Sequence, residues 1–125
     1  MLTIGSTRMG NVAVLCLQGR IVRGEADDLR GAVLAQLDLD PDVVVLDLAR
    51  VNTIDAGGLG SLLDLREQTE SRGIEFRLMN VTRLVGQVLE ITRLSSVFGM
   101  LTEREVLSRI RPRPFAPVRQ LAACA

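Results

Sequence analysis

Asp55-Ala56-Gly57-Gly58-Leu59-Gly60-Ser61 is the part of this chain whose residue types and spacing suit chemistry. It follows an apolar, β-branched run that leaves through Thr53 and Ile54, and it opens a leucine-rich helical pattern. Asp55 can be a plain N-cap, its oxygens accepting backbone N–H groups while its charge favours the positive end of the helix. Glycines ahead of a helix can also bare N–H groups to a phosphate. Here, however, Gly57-Gly58-x-Gly60 is not GxGxxG, lies midway along the chain, and has no lysine to complete a phosphate loop. A two-carboxylate site of Asp47 and Asp55 is weaker still, because Asp47 sits in the apolar strand with no second catalytic group beside it. The remaining chemistry is regulatory docking: a phosphate at the start of this helix would be held by the helix dipole and would change a binding surface most. That needs a hydroxyl. Ala56 has none, Thr53 belongs to the strand exit, and Ser61 already lies in the first helical turn.

The inventory of side chains points away from catalysis. The chain has no histidine, lysine, tryptophan or tyrosine, and all fifteen of its basic groups are arginine. The commonest general base, the commonest metal ligand and the Schiff-base amine are therefore all missing. No enzyme activity, cofactor or metal site is expected. Fifteen acidic groups cancel the arginines, which argues against a general electrostatic grip on nucleic acid or membrane. Three phenylalanines are the only aromatics, too few for base-stacking platforms. Cys16 reads as a small core hydrophobe and Cys124 as part of a loose tail, with no disulfide framework or zinc site between them. No charged segment leads into a long apolar one at the amino terminus, and no run is long enough to span a bilayer. A cytoplasmic protein without membrane insertion is expected.

The elements that must position the junction are legible as alternating strands and helices. Leu2 and Ile4 alternate, Gly10-Asn11 signals a turn, and Val12 to Leu17 is a strand closed by Gly19. Leu29, Ala32, Val33 and Leu37 recur at helical spacing from Glu25, until Asp40-Pro41-Asp42 turns the chain. Val43 to Leu48 is a continuous apolar run that suits a strand covered on both faces. A helix over Gly58 to Arg72 carries Leu59, Leu62 and Leu63 inward, with Leu65 widening the stripe and Gly73 as its C′ residue. Ile74, Phe76 and Leu78 alternate as a strand, and Thr82 caps a helix with Leu84, Val85, Val88 and Leu89 inward. A short strand is expected at Val97-Phe98, then a capping box, Thr102 with Glu105, opening a helix through Val106, Leu107 and Ile110. The result is an α/β layered domain over residues 1–110. Residues 111–125, with three of the four prolines and no acid, read as a flexible Arg/Pro-containing tail.

In this order of elements, "VLCLQGRI", "DVVVLDLARVNTID", "GLGSLLDLREQ" and "FRLMNVTRLVGQVLEITRLSSVF" resemble the STAS domain in its small form, the bacterial anti-sigma factor antagonists. Asp55, Gly58, Leu59 and Gly60 form the most specific part of the match. The resemblance implies a mixed central sheet of about five strands flanked by about four α-helices. It also implies a non-enzymatic module that binds an anti-sigma factor, often a kinase, and so frees a sigma factor. In the switchable members a serine or threonine directly after the aspartate is phosphorylated by the anti-sigma partner, which breaks the complex. That position is Ala56 here, and Gly57 stands at the next, where another small hydroxyl residue is common. The resemblance thus assigns partner binding or regulation to Thr53, Asp55, Ala56, Gly57, Gly58, Gly60 and Ser61, with the usual off-switch removed. Asp64, with Ser61, is a further outward position for a partner, and a weak homodimer is compatible with the module. The alternative is an accessory STAS subunit of a lipid-transport ABC system or of a signalling scaffold.

Overall fold

The valine-rich run in mid-chain needs cover on both faces, and the chain supplies it unequally. The computed structural model describes residues 2–112. Strands β1 (Leu2–Met9), β2 (Val12–Ile21), β3 (Val43–Ile54), β4 (Glu75–Met79) and β5 (Gly99–Leu101) form one sheet in the order β1-β2-β3-β4-β5. β1 and β2 make an antiparallel hairpin, with Gly10 at φ +59° in its turn, and every later pairing is parallel.

Each parallel step requires a crossover, supplied by α1 (Ala26–Leu37), α2 (Ala56–Glu70) and α3 (Arg83–Ile91). Because the steps all run the same way across the sheet, the three helices share one face. There Leu29, Val33, Leu59, Leu62, Leu65, Val85 and Leu89 pack on Leu15, Leu46, Phe76 and Leu78. The other face carries Met9, Val12, Val14, Val43, Val45 and Met79, with Val106 of α4 (Glu103–Arg109) against them. The result is a mixed five-stranded sheet with four α-helices, the expected α/β architecture.

Several boundaries move for reasons the local pattern does not contain. β3 runs on past Leu48 to Ile54, because register shifts between Cys16 and Gln18 and between Gly19 and Arg20 keep β2 and β3 paired to the end. Gly19, read as the end of β2, lies inside it at φ +115°. A 3-10 turn, Arg23–Glu25, precedes α1. α2 begins two residues before Gly58 and ends at Glu70, with Gly73 at φ +75° in the turn that follows. β5 falls at Gly99–Leu101 rather than Val97-Phe98, since Phe98 is drawn into the main core against Phe76. Leu84 and Leu107 point outward, and Leu63 is only half-buried. Cys16 is not a simple core residue: it is half-buried, and its sulfur lies 4.0 Å from Asp47 Oδ2. The expected tail lies, beyond Pro112, outside the described residues.

Candidate functional site

The strand β3 delivers Asp55 to the rim of the sheet in extended conformation, φ −109° and ψ 179°, and α2 starts at the next residue. Asp55 Oδ1 accepts the Gly58 N–H at 2.7 Å, the bond expected of an N-cap. Its other oxygen lies 3.5 Å from the Arg23 N–H, across from the 3-10 turn. A third bond, from the Asp55 N–H to the Ile21 carbonyl at 3.3 Å, ties the junction to the end of β2. Asp55 is therefore a cap first, and it fixes where α2 begins.

The three glycines do different jobs. A Cβ on Gly58 would meet the Ile21 carbonyl oxygen at 1.9 Å, and one on Gly57 would meet Arg23 Cβ at 2.5 Å. Both are demanded by the close packing of the first helical turn on the β2–α1 connection. Gly60 faces open space, with nothing within 4 Å of an added Cβ. This arrangement does not cradle a phosphate: the Gly58 N–H is taken by Asp55, and Gly58 itself is buried. Nor does it pair two carboxylates. Asp47 Oδ1 accepts from the Ala49 N–H at 3.0 Å and the Asn80 amide at 3.2 Å, partners it does not share with Asp55.

What remains at the surface is a small shoulder. Asp55, Ala56, Gly60, Asp64 and Arg23 are exposed, while Thr53, Gly57 and Ser61 are half-buried. The Ser61 hydroxyl donates to the Gly57 carbonyl at 3.1 Å, closing the first turn. Asp64 accepts from Arg30 of α1 at 2.5 Å and from Gln68 at 2.7 Å, bracing the two helices behind the shoulder. Thr82 serves the neighbouring helix in the same way, accepting the Val85 N–H at 3.4 Å while donating to the Val51 carbonyl at 3.3 Å. The sequence reading missed Arg23, which stands 32 residues before Asp55. Its only local signal is the adjacent Gly24, and nothing in the spacing links it to the glycine run. Among the described residues no group of three or more His, Cys, Asp or Glu could hold a metal ion, and no helix is long and apolar enough to cross a membrane.

A capped Asp-x-x-Gly-Leu-Gly start on the helix after the central strand of this sheet agrees with the family model for the STAS domain, which matches residues 4–109. The chain belongs to the STAS-domain family. This STAS domain is 31% identical over 98 residues to a Bordetella bronchiseptica protein named anti-sigma factor antagonist BtrV, covering 78% of this chain and 84% of that one. It is similar in fold to an anti-sigma factor antagonist from Mycobacterium paratuberculosis, with a TM-score of 0.77 and 22% identity over 89% of this chain and 95% of that one. It is also similar to a sulfate transporter family protein from Wolinella succinogenes, with a TM-score of 0.66 and 25% identity over 82% and 87% of the two chains.

Proposed function

We propose that this STAS domain is an anti-sigma factor antagonist, acting in the cytoplasm, that docks a kinase-like anti-sigma factor on the exposed start of α2. This chain and the sigma factor compete for the anti-sigma factor, so its capture frees the sigma factor without chemistry by this chain. The observation that carries the reading is Ala56, the first residue of α2, held outward and exposed beside Asp55 and Gly60. A methyl group there cannot take a phosphate. The docking is constitutive, and its level is set by the amount of protein rather than by modification at position 56.

The test uses the full chain as bait in its own cell. Recovery of an ATPase of the histidine-kinase fold, which binds the purified chain and keeps it bound in Mg-ATP, is the expected result. Introducing Ala56→Ser should create a phosphorylated species and ATP-dependent release. Phosphate appearing on Thr53 or Ser61 of the unsubstituted chain would overturn the constitutive reading. The Wolinella likeness favours one second reading, an accessory domain of a transport system; recovery of a transporter subunit in place of the ATPase would select it.

A further inference from the structure

Arg23 is exposed, yet the inner half of its side chain is held in place. It opens the 3-10 turn Arg23–Glu25, in which the Glu25 N–H donates to the Val22 carbonyl at 2.9 Å. Its own N–H faces Asp55 Oδ2 at 3.5 Å. The stem lies on the first turn of α2: a Cβ on Gly57 would meet Arg23 Cβ at 2.5 Å and Cγ at 3.0 Å. Glycine at position 57 is what lets the stem rest there, one residue from the exposed methyl of Ala56.

The charge at the end of that stem is not balanced locally. Among the described residues no carboxylate pairs with the Arg23 guanidinium. Glu25, two residues on, pairs instead with Arg20 at 3.9 Å. Asp55 Oδ1 takes the Gly58 N–H, and its Oδ2 faces the Arg23 backbone. Asp64 is held by Arg30 and Gln68. The shoulder thus presents an uncompensated cation on a preset stem, beside the neutral surface of Ala56 and Gly60.

Taking the start of α2 as the docking surface, as proposed above, we infer that Arg23 is its anchor and that the partner meets it with a carboxylate side chain. An arginine whose stem is already ordered loses little rotamer freedom on binding, and arginine is among the residues that carry most interface energy. Its planar fork matches a carboxylate through two parallel N–H···O bonds, which an ammonium cannot reproduce. A partner bringing a basic group to the same place is rejected by like charge.

The test is titration calorimetry of the full chain against the anti-sigma factor that co-purifies with it, first without nucleotide, with Ala56→Glu as the control for the surface itself. Arg23→Ala keeps the Cβ that touches Gly57, so it should melt like the parent while binding about tenfold or more weakly. Arg23→Lys should recover only part of that loss. Arg23→Glu should bind more weakly than Arg23→Ala, because it sets like charges together. Added salt should weaken the parent more steeply than Arg23→Ala. Parent-like binding by Arg23→Ala, with poor binding by Ala56→Glu, would overturn the anchor and leave the docking surface standing. Parent-like binding by both variants would remove the docking surface and the anchor with it. A loss in Arg23→Ala that appears only once ATP is added would rule out the carboxylate, since Arg23 would then be meeting the nucleotide phosphates.

Discussion

Asp55 accepts the Gly58 N–H at 2.7 Å, so the residue that ends the central strand also sets the first turn of the helix that follows. The exposed methyl of Ala56 is placed by this bond. Replacing Asp55 with alanine removes an N-cap, which costs about 0.5–2 kcal/mol, and should lower the midpoint of chemical denaturation accordingly. Asp55→Asn keeps an acceptor and should recover most of that loss. If the alanine variant melts like the parent, Asp55 is not what fixes the start of α2.

Gly58 and Gly60 separate packing from surface. Gly58→Ala drives a methyl into the Ile21 carbonyl at 1.9 Å, a backbone clash that should cost about 1–3 kcal/mol or prevent folding. Gly60→Ala enters open space inside a helix and should stabilise the domain by about 0.4–1 kcal/mol. Circular dichroism melts of the two variants check both signs. A more stable Gly60→Ala protein with weakened partner binding would assign Gly60 to the docking surface.

Asn11 is a buried polar residue that ties the β1–β2 turn to the segment after α4, being 5% exposed and bonded to Asp42, Arg109 and Arg111. Asn11→Ala leaves the Arg111 N–H without its side-chain acceptor, and the cost should be about 2 kcal/mol. Hydrogen exchange should report it as faster exchange over α4, ahead of the main core. Uniform acceleration across the whole sheet would contradict that local role.

The sequence carried the element order well because each element has its own short-range signature. The valine run of β3, the Thr82 cap and the Thr102–Glu105 box are all visible within a few residues, and the box is formed in full. The errors lie where a distant partner decides. Phe98 reads as a strand residue until Phe76 and the core claim it, and β3 reads as ending at Leu48 until β2 keeps pairing to Ile54. At the site, the Asp55 cap was legible from the Asp-then-helix pattern. That Gly57 and Gly58 are spent on packing was not, because Arg23 and Ile21, which crowd them, arrive from more than 30 residues away.

The most direct test of the account places charge at the shoulder without disturbing it. Glutamate at the first position of a helix is favoured by the dipole, so Ala56→Glu should fold as well as the parent. Titration calorimetry of parent and variant against the co-purified anti-sigma factor in Mg-ATP should show tight, ATP-insensitive binding for the parent and at least a tenfold loss for the variant. Equal affinity for the two, with unchanged melting, would contradict the claim that the start of α2 is the surface the partner grips.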